Sequence, residues 1–134
     1  MRATRQEILD WVESAEYDFE TAQAMLEVRR YNYCVLMCHQ AVEKFLKALI
    51  LLVCRQLPPR THNLLTLLQM VEKDPPEEIK TILLRLNPHY TVARYPDMAL
   101  GPSYKLYNQR IAQEFLEQTR EVLEWLRRKM LSLK

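Results

Sequence analysis

Four polar residues, Gln40, Glu43, Lys44 and Lys47, recur at spacings of three and four positions. On a helix that places all of them along one side. A carboxylate set among two ammonium groups can bind a polar ligand such as a nucleotide, or it can balance its own charges. Glu43 and Lys47 stand in the favourable i to i+4 order for an internal ion pair. His39 lies in the same stripe, and Leu36, Ile50 and Leu51 flank it, so a face between subunits is a third account. Further along, His62 follows Arg60 and Thr61 at the expected start of a helix. An imidazole there can move a proton near neutral pH, hold a phosphate beside free backbone donors, or make a local hydrogen bond. The third candidate is the stretch Leu86 to Asp97. Its Tyr90, Arg94 and Tyr95, together with Arg85, His89 and Lys105, interleave rings with cations. Such a surface can stack on bases and neutralise phosphate, and it can equally fasten a long loop to a core.

The elements that position these residues are helices. Ile8, Trp11, Val12, Ala15, Phe19, Ala22 and Leu26 mark one face of a helix over about 4–28, with Asp10, Glu13, Glu16, Asp18 and Glu20 on a solvated acidic side. Arg29, Arg30, Tyr31 and Asn32 read as the turn that ends it. A second helix, about 33–56, is apolar over half its circumference through Cys34, Cys38, Ala41, Phe45, Ala48, Leu49 and Leu52, and belongs at the centre of a bundle. Pro58 and Pro59 stop it. Thr61 is the expected N-cap of a third helix and Asp74 that of a fourth, which carries Ile79, Ile82, Leu83 and Leu86 inward. From Asn87 to about Lys105 the periodicity lapses into a long loop. A closing helix over about 108–130 follows, with Ile111, Phe115, Leu116, Val122, Leu123 and Leu126 inside. The expectation is an all-α, antiparallel up-and-down bundle of about five helices, in one domain spanning residues 1–134.

Composition removes several classes of function. With a single glycine, Gly101, the chain can build neither a glycine-rich phosphate loop nor the many tight turns of a sheet protein. The net charge of +2 is too small to demand a nucleic-acid partner by itself. Cys34 and Cys38 read as buried free thiols, since the histidines are too scattered to complete a metal site. The residues around Met1 to Asp10 do not form a signal peptide, and the apolar run Ala48 to Cys54 is too short to span a bilayer. Together these suggest a soluble cytoplasmic protein with no membrane partner, no metal and no cofactor.

The run His39-Gln40-Ala41-Val42-Glu43-Lys44-Phe45-Leu46-Lys47-Ala48 resembles the central helix signature of HEPN domains. Trp11 with Ala15 and Asp18, then Thr61-His62-Asn63-Leu64, then Ala93-Arg94-Tyr95-Pro96 follow in the order of that family, over nearly the whole chain. The resemblance implies an antiparallel helical bundle, usually a homodimer or a higher homo-oligomer. Some members accompany a minimal nucleotidyltransferase in a two-protein, toxin–antitoxin-like system and supply a nucleotide-binding surface. Others are metal-independent ribonucleases marked by an arginine and a histidine four to six residues apart. Here Arg85 and His89 have only three residues between them, and Arg55 and His62, with six, fall outside the C-terminal part where the pair belongs. The resemblance therefore implies a non-catalytic nucleotide- or RNA-binding module more than an enzyme, with Gln40, Glu43, Lys44, Lys47, His62, Arg94 and Tyr95 as its ligand-binding residues. The alternative is a ribonuclease using His62 with Arg55 or Arg60, or His89 with Arg85 or Arg94.

Overall fold

A computed structural model describes residues 4–133, and the described residues are helices joined by turns, without strands. Helix α1 spans Arg5–Glu27 and starts on a capping box: Thr4 Oγ1 accepts from the Glu7 amide, and the Glu7 carboxylate accepts from the Thr4 amide. It ends in a Schellman motif. The Arg30 amide donates to Met25 O (2.8 Å) and the Arg29 amide to Leu26 O (3.2 Å), which requires Arg29 to take a left-handed conformation, φ 65°.

Helix α2, Tyr31–Cys54, therefore begins two residues earlier than its apolar pattern suggested, because the Schellman turn needs so few residues. It stops at Arg55, in the left-handed region at φ 54°, short of the prolines. Most of α2 is buried, including His39, Glu43 and Lys47, as a helix at the centre of a bundle must be. Helix α1 packs along it in the opposite direction: Asp18 meets Lys44, and Trp11, earlier in α1, meets Lys47, later in α2.

Helix α3, Leu64–Val71, is capped by Asn63 and not by Thr61. The Asn63 carboxamide oxygen accepts from the Leu65 and Thr66 amides, while Thr61 Oγ1 accepts from the Asn63 amide one step before. Helix α4, Glu77–Leu86, starts after Pro76. Asp74 lies too early to cap it, since two prolines intervene, and its amide donates to Glu72 Oε1 instead. The long loop is organised into two single-turn helices, α5 (His89–Val92) and α6 (Pro96–Ala99), and a 3-10 turn at Ser103–Leu106. Helix α7, Gln109–Ser132, is capped by Asn108 and closes the bundle against α2, with Phe115, Leu116, Val122, Leu123 and Leu126 buried. The expected helical bundle is thus the observed one, with the late loop laid over α2 by α5 and the 3-10 turn.

Candidate functional site

Glu43 is the hub of the polar stripe. One oxygen, Oε2, accepts from Lys47 Nζ at 3.0 Å, and the other, Oε1, lies 2.9 Å from His62 Nδ1. A carboxylate only accepts, so Nδ1 of His62 is the donor in this contact, and Nε2 is the ring nitrogen turned away from Glu43. Glu43 and Lys47 are both less than one-tenth exposed, whereas His62 is exposed at the end of the α2–α3 corner, next to the α3 cap. The arrangement is a buried ion pair that orients one surface imidazole.

His39, one turn before Glu43, is fully buried. Its Nδ1 is 3.7 Å from Glu43 Oε1, too far for a hydrogen bond, and neither ring nitrogen has a hydrogen-bond partner among the described residues. Burial pushes its pKa down to about 4 against the pull of Glu43, so the ring is neutral at physiological pH.

Tyr90, from α5, forms the wall of this cluster. His62 stacks on it with centroids 3.9 Å apart and planes 15° from parallel, and His39 meets it tilted at 5.3 Å. The Arg94 guanidinium lies 4.7 Å from the Tyr90 ring centre and 4.9 Å from that of Tyr95, and donates to the Tyr95 hydroxyl at 2.8 Å. The backbone beneath is anchored by Asn32, whose side-chain amide donates to Ala93 O at 3.2 Å.

The residues singled out from the sequence therefore divide. Glu43, Lys47 and His62 meet directly, and Tyr90 joins His62 to Arg94 and Tyr95. Lys44 turns away to α1, where its Nζ is 2.8 Å from Asp18 Oδ2; the angle is not that of a hydrogen bond, so the contact is ionic. Asp18, expected on the solvated side of α1, is in fact buried by this pairing. Gln40 is half-buried, with no side-chain hydrogen bond among the described residues. Leu36, Ile50 and Leu51 are buried within the chain itself and give no exposed face to another subunit.

His89 is tied up: its Nδ1 is 2.6 Å from the Tyr107 hydroxyl, and its ring packs edge-on to Phe115. Burial first, then Arg85, lowers the His89 pKa, while burial pushes Tyr107 up to about 12. The tyrosine is thus a hydroxyl donor to a neutral imidazole. Cys34, Cys38 and Cys54 are free thiols, and no group of three or more His, Cys, Asp or Glu side chains among the described residues is arranged to hold a metal ion. No described helix is long and apolar enough to cross a membrane.

The HEPN domain family model matches residues 8–129. The chain belongs to the HEPN family. Two solved structures share the architecture of this HEPN domain. TT1696 from Thermus thermophilus is 30% identical, with a TM-score of 0.82, covering 91% of this chain and 97% of its own. ST0689, described as an archaeal HEPN homologue, is 27% identical, with a TM-score of 0.77, covering 95% of this chain and 98% of its own. No curated protein sequence matches this HEPN domain.

Proposed function

We propose that this HEPN domain is a non-catalytic module that binds a nucleotide or RNA, works beside a nucleotidyltransferase in a two-protein, toxin–antitoxin-like system in the cytoplasm, and pairs as a homodimer or larger homo-oligomer. The observation that carries the binding reading is the Arg94 guanidinium packed on Tyr90 and hydrogen-bonded to Tyr95 at the surface, with no carboxylate within 4.0 Å among the described residues. A planar cation held on aromatic rings offers both a stacking plane and a phosphate contact. The Glu43–His62–Tyr90 assembly fixes that platform from below. Titration of single-stranded RNA and of AMP into wild-type and Arg94→Ala protein tests it. Binding that weakens on removal of Arg94 supports the reading, and no binding of either ligand by folded wild-type protein overturns it. Co-purification with a nucleotidyltransferase expressed alongside tests the partnership separately.

A second reading follows from the Glu43–His62 hydrogen bond, because a carboxylate that orients an exposed imidazole is the arrangement of a general base. In a metal-independent ribonuclease, His62 Nε2 would take the proton of a ribose 2′-hydroxyl. The resulting alkoxide attacks the adjacent phosphorus and expels the 5′-oxygen, leaving a 2′,3′-cyclic phosphate, with Arg94 stabilising the phosphorane charge. RNA cleavage in EDTA that disappears in His62→Ala protein would establish this reading, and intact RNA would remove it.

A further inference from the structure

A cavity of about 670 Å³ opens between the α1–α2 turn and the late loop, with Arg94 in its wall. Arg29, Arg30, Arg94, Ser103, Tyr31 and Tyr104 are among its walls, and no Asp or Glu lines it. This volume is within the range of small-molecule sites. Each of the three arginines is exposed, and none has a carboxylate within 4.0 Å among the described residues, although the chain has nearly as many acidic as basic side chains. A concentration of unneutralised guanidinium groups in a concave site selects an anion, and guanidinium geometry favours phosphate.

Two further observations point to the same cleft. Arg29 occupies the left-handed position of the Schellman motif, where glycine is usual, so the chain places a cationic side chain at this corner against local backbone preference. At the mouth, the Tyr104 ring is more than half exposed and free to stack.

We propose that this cleft receives a phosphate monoester carried by a nucleoside, with Arg29, Arg30 and Arg94 around the phosphate and Tyr104 against the base. The site rests on the nucleotide-binding reading above and extends its Arg94 phosphate contact to the arginines of the α1–α2 corner. The same chemistry occurs in a free nucleotide and at the 5′ end of an RNA strand.

Calorimetric titration at low salt with AMP, adenosine, and an RNA oligonucleotide bearing either a 5′-phosphate or a 5′-hydroxyl separates the possibilities. AMP should bind at least about tenfold more tightly than adenosine, and the Arg29→Gln, Arg30→Gln double variant should remove that advantage. A 5′-phosphorylated oligonucleotide that outcompetes AMP identifies an RNA end as the source, and the reverse order identifies the free nucleotide. Ligand binding indifferent to the phosphate and to both arginines overturns the cleft while leaving the nucleotide-binding reading standing. Absence of binding by every probe overturns both.

Discussion

His62 Nδ1 lies 2.9 Å from Glu43 Oε1, so a corner with no helix of its own is fastened to the middle of the central helix by one side-chain contact. The same carboxylate holds the buried Lys47 ammonium, and its removal affects both partners.

Glu43→Ala should lower the unfolding free energy by about 3 kcal/mol, since it strands a buried ammonium. Replacing both members, Glu43→Leu with Lys47→Met, should recover most of that loss, because neither charge then remains to be solvated. Urea denaturation of Glu43→Ala, of the single variants Glu43→Leu and Lys47→Met, and of their double variant measures it. Additive losses would mean that the pair contributes nothing as a pair.

Stability should fall as the pH drops from about 6.5 toward 4. His39 titrates near 4 when folded but near its ordinary 6.5 when unfolded, so over that interval the unfolded chain binds the extra proton. The stabilisation from neutral His39 is complete above 6.5 and is lost on acidification, by about 3 kcal/mol at most. His89, also lowered, acts in the same direction. A His39→Leu variant should show a flatter profile in denaturation experiments across this range, and an unchanged slope would assign the effect elsewhere.

Arg29→Gly should raise stability by about 1 kcal/mol, because glycine takes φ 65° without the clash that a side chain brings. The same substitution should weaken AMP. Gain in melting temperature with loss of affinity would mark Arg29 as a residue kept for its charge. Loss of both would show that its side chain supports the turn.

Asn63→Ala should cost about 1 kcal/mol, since it frees the Leu65 and Thr66 amides and also loses the donor contact from Asn87 at 3.2 Å. Thr61→Ala should cost less, as it serves a single amide outside the helix. Thermal melts of the two variants rank them directly.

The helices were legible because apolar spacing of three and four residues survives any tertiary arrangement, and Glu43 with Lys47 was legible for the same reason. The contact between Glu43 and His62 was not, since it depends on the path of a corner containing Pro58 and Pro59. Nor was the fate of His39. A position on a polar stripe gives its direction from the helix axis, but Tyr90, some fifty residues later, decides whether that direction meets water. Asp18 was misplaced by the same blindness: Lys44 draws it inward. Arg29 and Arg30 read as an ordinary turn, because the late loop that completes their cleft is remote in sequence.

Helix α2 is walled by α1 on one side and by α7 on another, with Cys34 Sγ 4.0 Å from the Ala112 carbonyl across that second seam. During synthesis the α1–α2 hairpin emerges before its second wall does. Until then the emerging chain presents an unprotected apolar flank, the kind of surface that draws chaperones and drives aggregation. Nascent chains arrested before α7 should therefore be the dangerous ones, and the speed at which α7 docks sets how long the hazard lasts.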